Sequence, residues 1–146
     1  KLSPVEKDLR ALYAHILTLL NSEKALAEGE FFDLMYVNFD NPHFSPHRHY
    51  SFMRRSGDEV ILIAVNFSPL AQELRINIPP LALGMYGIKE GLKHCKELIS
   101  GREADITVSS STPFATTIAP WGAVAWKFSA SRNRSTRCKN ICRAAE

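Results

Sequence analysis

The hydrophobic repeat changes character near Gly29, and that change restricts the chain to one helix followed by sheet. Before it, Leu9, Leu12, Tyr13, Ile16, Leu17 and Leu20 recur at helical spacing, a stripe that has to be buried against another element. Ser3 is placed to cap this helix, Pro4 suits its first position, and Glu6 stands where a capping-box carboxylate reaches back. Asn21 and Ser22 close it, and Gly29 breaks the run before the next segment.

From Glu30 onward the pattern is that of strands. Phe31, Phe32, Leu34, Met35, Tyr36 and Val37 form one run, bounded by Asn38 and the Asn41-Pro42 turn. Residues 50–55 and 60–67, joined through Ser56-Gly57-Asp58-Glu59, make the clearest hairpin. Its second strand is apolar almost throughout and is predicted to be central, covered on both faces. Residues 73–78 alternate as a half-exposed strand ending at Pro79-Pro80, and shorter strands are expected at 97–99 and 106–108. Residues 113–128 read as two apolar strands joined in a closing hairpin by the Pro120-Trp121-Gly122 corner. The expected fold is mainly β: an antiparallel β-sandwich of Greek-key type preceded by one amphipathic N-terminal α-helix. Residues 1–28 form its helical part, 29–128 the sandwich and 129–146 a basic tail.

With 146 residues, 45% of them hydrophobic, the chain is long enough for one real core. Its net charge of +3 is uneven, because residues 127–146 hold six cations against Glu146 alone and the remainder is slightly acidic. Such a body argues against a nucleic-acid-binding domain, whose cations lie on the folded surface. No apolar run reaches the roughly 20 residues of a membrane helix, and the first residues lack a signal-peptide pattern. Beginning at Lys1, the chain is expected to be a processed product or a piece of something longer, and no compartment can be assigned. Cys95, Cys138 and Cys142 are too few and too odd in number for a disulfide scaffold. A bridge from Cys95 to either tail cysteine and free thiols both remain open. The Ser-, Arg- and Lys-rich tail reads as a loose extension, or as a short helix with Cys138 and Cys142 one turn apart.

The helix running from Leu9-Arg10-Ala11-Leu12-Tyr13 to Asn21-Ser22-Glu23-Lys24-Ala25-Leu26, the segment Gly29-Glu30-Phe31-Phe32, the hairpin ending Val65-Asn66-Phe67-Ser68, and Pro120-Trp121-Gly122 occur in a telling order. In that order they resemble the end of an alpha-amylase family chain, glycoside hydrolase family 13, over residues 2–128. The resemblance implies the last helix of a (β/α)8 barrel followed by the C-terminal β-sandwich domain. It also implies a non-catalytic, structural role and α-glucan as the parent enzyme's substrate class. The barrel strands carrying the nucleophilic Asp, the acid Glu and the stabilising Asp are absent. Family members place the nucleophile two residues after an Arg, whereas Gly101-Arg102-Glu103-Ala104-Asp105 has the wrong spacing. Leu9, Leu12, Ile16 and Leu17 become barrel-packing residues and the barrel the expected partner. In isolation the stripe is expected to fold back on the sandwich or to pair with a second copy.

Retaining glycoside hydrolysis needs two carboxyls about 5–5.5 Å apart, and the carboxylates here sit on the helix, in turns or on polar strand faces, so no catalytic residue is assigned. His43, His47 and His49 near Asp40 have metal-ligand composition, but two prolines and no fourth strong ligand favour a polar loop. Neither a metal nor a cofactor is expected. Sugar rings stack on exposed aromatics, for which Tyr36, Tyr50, Tyr86, Trp121 and Trp126 are available. Trp126 reads as core. Trp121, at a turn, reads as a corner plug or, with Tyr50, as a carbohydrate contact. The alternative functions are therefore a starch-binding module using these aromatics and a standalone interaction protein using the basic tail.

Overall fold

The computed structural model describes residues 1–134. Helix α1 (Pro4–Ser22) begins as its sequence requires: Ser3 Oγ accepts the Glu6 N–H at 3.3 Å and Glu6 Oε2 accepts the Ser3 N–H at 2.7 Å. These bonds to Ser3 hold the Glu6 carboxyl below its usual range. A short helix α2 (Lys24–Glu28) follows, then β1 (Glu30–Asp33). A Cβ at Gly29 would stand 2.2 Å from the Ala25 carbonyl oxygen and 2.8 Å from that of Arg55, so glycine is required between α2 and β1.

The remaining elements are α3 (Met35–Asn38), β2 (His49–Ser56), β3 (Glu59–Asn66), β4 (Gln72–Ile76), α4 (Pro80–Tyr86), β5 (Gly91–Glu97), β6 (Glu103–Val108), β7 (Phe114–Ile118) and β8 (Ala123–Ser129). A six-stranded sheet runs β1-β2-β3-β8-β5-β6, and β4 pairs with β7 in a second sheet. All these pairings are antiparallel. The core lies between the sheets, where Leu62, Val124, Trp126 and Phe128 of the larger meet Leu74, Ile76, Phe114 and Ile118 of the smaller. The expected mainly β sandwich with an N-terminal helix is the observed architecture. As expected too, β3 is covered on both faces, since Ile61 is buried on the outer side with Ala25, Leu98 and Ala125.

Several local expectations fail for identifiable reasons. The run predicted as one strand stops at Asp33, whose Oδ1 accepts the Met35 N–H at 3.0 Å and turns the chain into α3. Pro79-Pro80 does not merely end a strand. Pro80 opens α4, its missing N–H costing nothing at a helix start. In place of a strand at 97–99 there is a turn, with β5 before it and β6 after. The inward side of β5 carries Lys93, Cys95 and Glu97, so a strand that is buried on one face shows no apolar alternation. Lys93 is buried with Nζ donating to the Ala130 and Arg132 carbonyls at 2.9 and 3.2 Å, and burial lowers its pKa. Cys95 is a buried thiol pushed up to about 12 by desolvation, while Cys138, Cys142 and the proposed tail helix lie outside the described residues. Finally, β7 and β8 are not a hairpin: β7 pairs with β4 and β8 with β3 and β5, so the Pro-Trp-Gly corner passes the chain from one sheet to the other.

Candidate functional site

Among the described residues the stripe on α1 meets almost nothing. No residue of α1 is buried, Leu9, Leu12, Leu17 and Leu20 are 43–58% exposed, and Ile16 is half-buried. Of the two outcomes expected for an isolated chain, folding back on the sandwich or pairing with a second copy, the first is not seen along the length of the helix, which is held toward its C-terminal end. There His15 Nε2 lies 3.1 Å from the Leu98 carbonyl oxygen, Leu19 packs beside Ala25 and Ile61, and Lys127 Nζ reaches Glu23 at 2.8 Å and Glu59 at 3.4 Å. Burial alone would lower the Lys127 pKa, but the bond to Glu23 and the charges of Glu23 and Glu59 outweigh it and the pKa is raised.

Beside α2, on the same outer face of the large sheet, lies a run of aromatic rings. Arg54 bonds the Ala25 and Leu26 carbonyls of α2 at 3.3 Å each, and Phe52 and Tyr50 follow Arg54 at two-residue intervals on the same side of β2. Phe31 and Tyr50 flank Phe52 with ring centroids at 5.3 and 5.6 Å, and both remain exposed. The α1 stripe and this aromatic run are thus two sets of exposed apolar side chains.

Trp121 is not a plug. It is 67% exposed, takes the left-handed conformation with φ 55°, and donates its N–H to the Ser68 carbonyl at 3.1 Å. The corner is tied down by Asn66, whose N–H donates to the Gly122 carbonyl and whose Nδ2 donates to those of Leu70 and Ala119. Tyr50, Val65 and Ala123 stand in one row across β2, β3 and β8, so the register brings Tyr50 and Trp121 to the same end of the sheet. Trp126, as expected, is buried in the core.

The histidines do not assemble. His43 and His47 are exposed and His49 is buried. Among the described residues no three His, Cys, Asp or Glu side chains converge as a metal would require. His49 has a different role. Its Nδ1 accepts the Ser45 N–H at 2.9 Å, which places the ring proton on Nε2. Nε2 and Asn66 Oδ1 are buried without a partner of good geometry, one a donor and the other an acceptor. Burial, followed by the charge of Arg48, lowers the His49 pKa, while the Asn66 side chain acts in the opposite sense. The unfolded chain therefore takes up this proton first on acidification, so His49 contributes stability above the ordinary histidine value that is lost as pH falls below about 6.5. We expect the melting temperature to drop between about pH 7 and pH 5, and the drop to shrink in His49→Asn, whose Oδ1 can still accept from Ser45. An unchanged pH profile in that variant would refute the assignment.

The carboxylates serve as acceptors. Glu97, buried, takes the N–H groups of Ile99, Ser100 and Ala125. Hydrogen bonds from Ser129 and Ser131 pull Asp58 down to about 2, and those from Ser110 lower Glu90. A general acid needs a carboxyl pushed upward, the reverse of the shifts at Asp58 and Glu90. Two further groups escaped the sequence reading. Asn38 is wholly buried and bonded to Leu34, Asn41 and Asn77, and Arg102 stacks over the Trp126 ring at 5.2 Å. Neither lies in a motif; the one legible sign was an asparagine directly after an apolar run.

No protein-family model matches the chain, and no curated protein resembles it in sequence. Solved structures do resemble it. AmyP in complex with maltose matches with a TM-score of 0.63 and 12% identity over 93% of this chain and 23% of that one. An Anoxybacillus alpha-amylase gives 0.58 and 14% over 88% and 24%. A maltogenic alpha-amylase, AmyB from Thermotoga neapolitana, gives 0.59 and 16% over 82% and 25%. At these identities the likeness is one of fold, and the chain spans about a quarter of the length of those structures.

Proposed function

We propose that this chain is a non-catalytic accessory domain of an alpha-amylase-like glycoside hydrolase acting on α-glucans, packing against and stabilising a catalytic (β/α)8 barrel. The observation that carries this reading is α1: a helix with an N-terminal capping box and an apolar stripe, anchored at one end and left exposed along the rest among the described residues. Burying a half-exposed leucine is worth about 1 kcal/mol, so Leu9, Leu12, Ile16 and Leu17 together supply a sizeable part of a docking energy. Phe31 and Tyr50, exposed beside Phe52 on β1 and β2, add a second apolar run. On this reading α1 is the last barrel helix, its stripe turned to barrel neighbours and its end fixed to the sandwich through α2 and the Glu23–Lys127 pair.

Reading the gene upstream of the Lys1 codon tests this directly. The expected result is an open frame encoding a barrel with the nucleophilic Asp and acid Glu; an in-frame stop codon immediately upstream would sink it. In the longer polypeptide, Leu12→Asp with Ile16→Asp is expected to lower the melting temperature of the barrel while the sandwich stays folded.

The exposure of Trp121 favours a second reading, a starch-binding module. Retention on insoluble starch that maltoheptaose competes away and Trp121→Ala removes would support it, and no retention would leave the docking reading standing.

A further inference from the structure

We propose that the open side of the sandwich, between β6 and β7, is a binding site for one neutral pyranose ring, bracketed by Arg102 and Glu73. It goes beyond the docking reading and shares with the second reading only the class of ligand. A cleft of about 290 Å³ lies there, with Arg102, Ala104 and Ile106 on one wall, Thr117 and Glu73 on the other and Trp126 at its base. That is at or just below the roughly 300–1,000 Å³ of sites for drug-sized ligands, so the cleft takes a single ring with the rest of an oligosaccharide in solvent.

The polar groups select the ligand. The Trp126 Nε1–H is fixed on Thr116 Oγ1 at 2.9 Å and the indole is buried, so the ring is a rigid base for the guanidinium stacked 5.2 Å above it. Stacking holds the guanidinium flat and leaves its N–H edge free. Unlike Arg55, Arg75 and Arg134, Arg102 has no carboxylate partner among the described residues. Glu73, from the other sheet, is engaged only by Arg75, two residues along its own strand, in an exposed pair. An anion would be repelled by Glu73 and a cation by Arg102. A pair of neighbouring hydroxyls suits both, accepting from the guanidinium and donating to the carboxylate. Half-buried Ala104 and Ile106, packed on the core, make that wall apolar, as the C–H face of a sugar ring needs.

Trp121→Phe leaves Trp126 as the lone indole of the chain and makes the test specific. Titrating this variant with maltoheptaose is expected to give a saturable change in emission. Adding Arg102→Ala or Glu73→Gln should weaken the affinity about tenfold or more, the loss of a charge-assisted hydrogen bond. Absence of a saturable change, or both variants titrating like their parent, would overturn the proposal. Should Arg102→Ala fail to fold in a thermal melt, exposed Glu73→Gln decides alone. Starch retention by the unaltered chain that disappears with Trp121→Phe would place binding at the corner, defeating this site and leaving the second reading intact.

Discussion

Glu97→Ala is expected to cost about 3–5 kcal/mol of stability, with Glu97→Gln costing roughly half as much. The carboxylate is 2% exposed and is the meeting point of three segments. Its Oε1 accepts the Ile99 N–H at 3.1 Å and the Ala125 N–H at 2.8 Å, and its Oε2 accepts the Ser100 N–H at 2.6 Å. The first and last of these form the turn between β5 and β6, and the second ties that turn to β8. Alanine strands all three buried donors, whereas glutamine keeps an oxygen for two and turns an N–H₂ toward the third. Urea unfolding with an unchanged m-value measures the difference as a shift in midpoint. A shift of under about 1 kcal/mol for alanine would mean that water or a relaxed turn satisfies the freed N–H groups, and that Glu97 does not tie the turn to β8.

Tyr86→Ala should be comparably damaging, about 3–5 kcal/mol, and Tyr86→Phe should cost about 1 kcal/mol. The ring is 1% exposed at the end of α4 and meets Phe32 edge to face at 6.0 Å. Its hydroxyl donates to the Glu30 carbonyl at 2.8 Å, with the Met53 carbonyl at 3.4 Å, and so pins the edge strand β1. Desolvation, followed by the charge of Glu30, raises the phenol to about 12. The unfolded chain thus loses this proton first as the solution becomes alkaline. Stability should therefore be intact below about pH 10 and fall as the pH rises toward the folded value. In Tyr86→Phe that alkaline loss should be smaller; an identical alkaline limb would show that the hydroxyl is not buried against β1.

Elements with a strong local signal were legible in the sequence. The capping box of Ser3 and Glu6, the β2–β3 hairpin and the central place of β3 follow from residues close in the chain, and they appear where expected. The strand β5 was not legible, because its inward residues include a lysine and a glutamate whose burial depends on partners far along the chain, Ala130 and Ala125. Helix α3 was hidden by an apolar run that reads equally well as strand. The pairing of β7 and β8 was misread because a short apolar-turn-apolar segment describes a hairpin and a sheet-to-sheet corner alike.

The site shows the same division. That Trp121 lies at a turn and Trp126 in the core could be read from flanking residues, but the stacking of Arg102 on Trp126 joins positions that meet only when β5 pairs with β6 on one side and β8 on the other. By itself the sequence determined the class of fold and the amphipathic character of α1, since hydrophobic period and capping chemistry act between residues a few positions apart. Only the tertiary structure decided which strands are neighbours, which polar groups are buried and satisfied, and that the stripe of α1 stays open among the described residues, because each depends on contacts between distant parts of the chain.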